Sequence, residues 1–195
     1  MIDATALDRH VEQLFEVMDR LHTALAKAGI AYRIVGGMAV YFQVSERDPM
    51  AGRFTRDVDI AVDRRDLQRI AQAAEAFGFQ YRHVAGVDML VDAKQPKARS
   101  AVHLVFIREK VRPDNLEPVP EFSEAVVVKQ GLLLAPVADL LKMKLISFRI
   151  KDKTHIIDMD GVGLITREIE NSLSGPLRRR LQQVRDEERQ SAGAE

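Results

Sequence analysis

The segment "YRIVGGMAVYFQ", residues 32–43, sets an apolar strand-like run against two glycines and then an apolar helix-like run, and "RFTRDVDIAVD" follows at residues 53–63. A Gly-Gly pair between strand and helix lets the backbone approach a ligand closely, and the helix start offers free N–H groups to an anion. In "DVDIAVD" the alternation puts Val58, Ile60 and Val62 on one face and Asp57, Asp59 and Ala61 on the other. Carboxylates two apart on a strand have α carbons about 6.6 Å apart, so their oxygens can converge on one or two divalent cations. Hard oxygen donors favour Mg²⁺, whose remaining positions go to water and substrate phosphate. Each half alone has a plainer reading: a solvated strand face and a tight turn. Their order, and the flanking Arg53, Thr55 and Arg56, raise the joint signal.

The rest of the chain supplies a frame for that pair. Leu7, Val11, Leu14, Met18, Leu21 and Leu25 recur at steps of four and three, which predicts a long first helix ending near Gly29. Its apolar seam packs either on its own core or on a partner helix. "AYRIV" predicts a strand, "MAVYFQ" a helix of two turns, and residues 45–55 a surface loop. Asp63 reads as a helix N-cap, and the helix it opens runs on until Gly78 stops it. "FQYRHV", "VDMLVD", "SAVHLVFI" and "EAVVVK" read as further strands, giving a mixed sheet of five or six members. After Pro136 the pattern turns helical, through "VADLLKMKLISFRI", "KDKTHIIDMDG", a turn at 166–171 and a last helix opened by Pro176, with "QSAGAE" as a disordered tail. The organisation expected is an N-terminal helix (1–30) packing on an α/β core (31–135), then a C-terminal helical segment (136–195).

With 195 residues the chain is long enough for one domain with a true core. Lys plus Arg (29) equal Asp plus Glu (29), so no global field argues for nucleic acid. There is no cysteine, which excludes disulfide scaffolds, thiol nucleophiles and Cys-ligated zinc and fits a reducing, cytoplasmic setting. No run approaches the roughly 20 apolar residues of a membrane span.

"VGGMAVYFQ" with "RFTRDVDIAV" resembles the nucleotidyltransferase superfamily of the polymerase beta type, and in particular its AbiEii-like branch, where Gly-Gly and Arg-x-Thr-x-Asp-x-Asp occur in this order. "ADLLKMKLISFRIKDKTHIID" is similar to that branch's later helical segment, so the resemblance spans roughly residues 30 to 160. It implies an α+β fold with a nucleotidyltransferase-like mixed sheet flanked by helices. It also implies transfer of a nucleoside monophosphate from an NTP such as ATP to a hydroxyl acceptor, with Mg²⁺ or Mn²⁺. Gly36 and Gly37 would shape the triphosphate loop, with Arg53 and Thr55 beside it. Asp57 and Asp59 would hold the metal and Lys144 would contact phosphate. Asp152 would match the late acidic residue, with Arg149 and Lys151 lining the pocket. As structure alone, the lysines and arginine of this segment are the wet face of an amphipathic helix.

The resemblance departs at one place. Catalytically complete members add a third carboxylate on a neighbouring strand, and "AVHLVF" offers His103 there, a poor Mg²⁺ ligand and a plausible general base. Asp88 and Asp92 share a strand face and either supply the missing acid or face solvent on an edge strand. His155 and Asp158, at i and i+3, form either a metal or acid-base pair or a local surface pair. Three expectations of different class follow: an enzyme whose acceptor is RNA, protein or a small molecule, with tRNA natural for a toxin paired with an antitoxin; a silent nucleotide-binding module; and a partner protein docked through the first helix. The basic "RRRLQQVR" either guides RNA or is a solvated face. The assembly expected is a monomer or homodimer.

Overall fold

The computed structural model describes residues 4–53, 55, 57–93, 101–128 and 131–193, with side chains from residue 12 onward. Expectations for the side chains of Leu7 and Val11, for Arg56, for Lys129, for most of "AKQPKAR" and for Ala194 and Glu195 lie outside the described residues. The elements run α1 (Ala4–Lys27), β1 (Tyr32–Val35), α2 (Gly36–Arg47), β2 (Val58–Val62), a 3-10 turn (Arg64–Asp66), α3 (Leu67–Glu75), β3 (Phe79–Val84), β4 (Val87–Asp92), β5 (Val102–Phe106), β6 (Val126–Val127), β7 (Leu133–Leu134), α4 (Val137–Ser147), α5 (Ile150–Gly161), α6 (Arg167–Asn171) and α7 (Gly175–Ala192).

Among the described residues the strands form one mixed sheet of seven, ordered β3-β4-β5-β2-β1-β7-β6. β2 runs antiparallel to β1 and parallel to β5, which sets Asp59 opposite Val35 on one side and His103 on the other. The apolar face of β2 is as predicted, with Val58, Ile60 and Val62 buried and Asp59 half-exposed, but Ala61, expected on the outward face with the acids, is buried as well. The sheet exceeds the predicted five or six members because β7, two residues long, is too short for periodicity to register; β6, equally short, lies within the predicted strand "EAVVVK".

The seam of α1 is absorbed by the chain itself. Leu14, Met18, Leu21 and Leu25, joined by Val17, are buried in the core, and α1 packs on α3. A partner docked through that seam is therefore excluded over residues 14–25. α2 is longer than the two turns predicted: it takes in both glycines and runs to Arg47, where the expected loop had begun at Ser45. Asp63 caps the 3-10 turn, accepting the Arg65 backbone N–H, as predicted from its position. α7 continues through Ala192, so the predicted disordered tail begins as helix.

β4 is not an edge strand; β3 is. Asp88 and Asp92 are 6% and 7% exposed, against the expectation that they face solvent if they are not the third acid. Arg20 pairs with Asp92, and Tyr81, His83 and Arg64 surround Asp88. Burial works against the Asp88 carboxylate, but the Tyr81 and His83 hydrogen bonds and the charges of His83 and Arg64 outweigh it and hold its pKa below the ordinary value.

Candidate active site

A cleft of about 980 Å³ opens where β1 hands over to α2. Gly36, Gly37, Arg53, Thr55, Asp57, Asp59, His103, Lys144, Arg149 and Lys151, ten residues singled out from the sequence, all line it. Gly36 has φ +69°, a left-handed conformation that favours glycine. A Cβ there would lie 2.9 Å from Asp59 Cγ and nearer still to Oδ2, so the Asp59 carboxylate occupies the space that any other residue would fill. The register explains this closeness, because Asp59 pairs with Val35, the residue before the turn. Gly37 is crowded more gently, by Thr55 at 3.1 Å and by the His155 ring at 3.3 Å. α2 opens with no side-chain cap and no acidic residue in its first turn, so among the described residues its leading N–H groups have no capping side chain.

The opposite wall is built on Asp152, which is fully buried. Lys144 Nζ stands 3.3 Å from its Oδ1, while Ser147 Oγ (2.7 Å) and Arg149 Nε (2.8 Å) donate to Oδ2. As the third residue of α5, Asp152 also accepts the Arg149 backbone N–H at 3.1 Å, half of a capping box. Burial would raise its pKa, but the Arg149 and Ser147 hydrogen bonds and the Lys144 charge prevail and hold it at about 2. Burial in turn lowers the pKa of Lys144, with Asp152 and Asp59 opposing. Asp59 acts electrostatically on both Lys144 and Arg149, so the two walls belong to one site. The wet-face alternative fails for Lys144, which is 5% exposed.

His103 Nδ1 lies 3.2 Å from Asp59 Oδ1, and this hydrogen bond, against partial burial, raises the His103 pKa. Asp88 lines the same cleft but is not brought to Asp59. Met89, not Asp88, pairs with His103, so strand parity turns Asp88 to the other face. His155 and Asp158 make no hydrogen-bonded pair either: Arg53 Nε donates to Asp158 Oδ1 at 2.9 Å, and His155 Nδ1 is buried without a hydrogen-bond partner among the described residues. Ser147 was not foreseen, because a lone serine at a helix end carries no periodic signal. The sequence offers His155 only as a metal, acid-base or surface partner of Asp158, and the α5 to α2 packing is what sets it beside Gly37.

The metal expectation can be tested on the donors. Asp57 stands just before β2 and Asp59 within it, and both face the cleft. Among the described residues no three His, Cys, Asp or Glu side chains gather into a ready-made cluster. Two carboxylates facing the open cleft fit a hard cation that takes its other ligands from substrate and water.

No family model matches the chain, and no curated protein matches it significantly. Among solved structures it is similar to the solution structure of the antibiotic-resistance factor ANT(2'')-Ia, with a TM-score of 0.53 and 10% identity over 94% of this chain and 95% of that one. The crystal structure of ANT(2'')-Ia with adenylyl-2''-tobramycin gives a TM-score of 0.49 at 10% identity, over 84% and 94% of the two chains. The first likeness spans nearly the whole chain and establishes the fold: a mixed α+β, nucleotidyltransferase-like architecture. No helix among the described residues is long and apolar enough to cross a membrane.

Proposed function

We propose that this protein is a nucleotidyltransferase that moves a nucleoside monophosphate from an NTP to a hydroxyl acceptor with Mg²⁺ at Asp57 and Asp59. One observation carries the reading: the Asp59 carboxylate fills the space left by Gly36 at the uncapped start of α2, within electrostatic reach of buried Lys144. The leading N–H groups of α2 and the Lys144 and Arg149 cations bind and orient the triphosphate. Asp152 acts as a positioning residue, since its oxygens are already engaged by Lys144, Ser147 and Arg149. A cation between Asp57 and Asp59 would supply neutralisation of phosphate charge. Positioning and electrostatic stabilisation account for most of the catalysis in phosphoryl transfer.

The finer reading places the chain in the AbiEii-like branch, acting on tRNA as the toxin of a toxin-antitoxin pair. It rests on the order of Gly36-Gly37, Arg53-x-Thr55-x-Asp57-x-Asp59 and the Lys144, Arg149, Asp152 set. A second reading, a silent nucleotide-binding module, is favoured by His103 standing beside Asp59 where a third carboxylate would be expected. The two separate in one experiment: α-labelled NTPs with Mg²⁺ or Mn²⁺, offered total tRNA, lysate protein and small hydroxyl compounds. Label transferred by the wild type and lost in the Asp57→Ala/Asp59→Ala variant establishes the enzyme and names its acceptor. Nucleotide binding without transfer establishes the silent module.

A further inference from the structure

His155 has unspent hydrogen-bonding capacity at the Gly36-Gly37 turn. It projects from α5 into the cleft wall, its Cε1 3.3 Å from the point that a Cβ on Gly37 would occupy. Among the described residues its buried Nδ1 has no hydrogen-bond partner, and Asp158, one turn further on, gives Oδ1 to Arg53 and makes no hydrogen bond to the ring, its Oδ2 being buried and unpartnered too. A buried N–H with no acceptor is rarer than a buried lone pair, so hydrogen-bond accounting assigns the lone pair to Nδ1 and the proton to Nε2. The charged groups around the ring agree. Burial comes first, then Lys144 from α4, and Lys151 and Arg149 at the start of α5; Asp152 alone opposes, and the His155 pKa falls to about 4. The segment before β2 contributes Thr55 near the same turn and Arg53, which is neutralised on Asp158.

We propose that His155 is a further binding residue for the donor phosphates, its Nε2–H donating to a phosphoryl oxygen seated at the Gly36-Gly37 turn. The assignment rests on the nucleotide reading of the cleft. An uncharged donor suits this position: it satisfies an oxygen without adding a further cation beside Lys144, Arg149 and Lys151. It also separates two histidines of the cleft, His103 tied to Asp59 and His155 with no hydrogen-bond partner for its Nδ1 among the described residues.

The test is ¹⁵N NMR of the His155 ring, with binding of ATP, inorganic tripolyphosphate and adenosine by the wild type, His155→Gln and His155→Leu. The neutral ring with its proton on Nε2 is expected at pH 7, with the Nε2 signal moved by ATP and tripolyphosphate but not by adenosine. His155→Leu weakens ATP and tripolyphosphate binding by about tenfold or more, while His155→Gln, which keeps an N–H donor, stays within about threefold. A proton on Nδ1, an Nε2 signal that tripolyphosphate leaves in place, or ATP binding unchanged in His155→Leu overturns the assignment. Tripolyphosphate binding without ATP binding retains the phosphate contact and overturns the nucleotide reading instead. A wild type that binds neither overturns both. The wild-type spectrum decides alone if His155→Leu fails to fold.

Discussion

Asp59 faces the cleft and Asp152 stands behind its wall, and the two carboxylates are treated in opposite ways. Asp152 is fully buried and meets Lys144, Ser147 and Arg149, so the protein itself satisfies its oxygens. Asp59 keeps 29% of its side chain exposed and is touched by His103 at 3.2 Å. A carboxylate saturated from within holds architecture, whereas one left facing a cavity is available to a ligand. The sharpest way to break the contrast is to exchange the two consequences. Asp152→Ala leaves Lys144 buried without its counter-charge, and removing one partner of a buried pair costs about 3–5 kcal/mol. Urea unfolding should show that loss. Asp59→Asn should leave the unfolding midpoint nearly unchanged and reduce label transfer to background. A stable Asp152→Ala protein, or an unfolded Asp59→Asn one, would erase the distinction.

The two glycines sharpen the comparison at the next level. Gly36→Ala forces a left-handed residue to carry a Cβ into Asp59, a cost of about 2–4 kcal/mol from strain and overpacking together. It should also lose NTP binding, because the carboxylate must move. Gly37→Ala meets Thr55 at 3.1 Å with no positive φ, so a loss of about 1 kcal/mol and a weaker binding defect are expected. Equal effects at the two positions would show that Asp59 does not depend on the turn.

How much of this could be read from residues follows from where each signal lives. The apolar face of β2, the Gly-Gly turn and the acid at position 59 are local patterns of period two or of residue type, and each stands where it was expected; only Ala61 is drawn into the core from the outward face. Strand register is not local. Nothing within "VDMLVD" tells that β4 lies inside the sheet, so Asp88 could be offered as a third acid until the pairing of Met89 with His103 turned it to the other face. The burial of Lys144 depends on α4 packing against α2 and α5, and an amphipathic pattern rich in lysine hides that contact. β7 was too short to carry a pattern at all.

Acid titration separates two groups of α5 by pH. His155, at about 4 in the fold against an ordinary 6.5, binds its proton more readily when unfolded. Stability from this group is therefore present above pH 6.5 and lost as the pH falls toward 4. Asp152, at about 2 against 3.8, contributes stability that is present above pH 3.8 and lost as the pH falls toward 2. Urea midpoints taken through both windows should fall in two stages. His155→Gln should remove the first stage, and a wild type with no decline between pH 6.5 and 4 would mean that His155 is charged in the fold.

The smallest effects belong to α7, where sequence alone left a choice between guiding RNA and facing solvent. Its basic residues are largely committed within the chain. Arg180 donates to the carbonyls of Leu145 (2.6 Å) and Ile146 (2.9 Å) at the end of α4 and lies over the Phe148 ring, while Arg185 pairs with Asp160 and Glu170. Arg178 donates to the backbone of Asn171 and Leu173. Arg180→Ala should thus cost about 1–2 kcal/mol of stability through lost carbonyl and ring contacts. Its KM for NTP should stay unchanged, since Arg180 holds backbone carbonyls at the end of α4 and does not itself line the cleft. Arg179 is exposed, and Arg179→Glu should change neither stability nor transfer to tRNA by more than about twofold. A strong, salt-dependent loss of transfer in Arg179→Glu, with NTP binding intact, would instead make α7 the track for an RNA acceptor. The balance of the molecule would then shift from a helix that braces the α4 end of the cleft to one that also delivers its substrate.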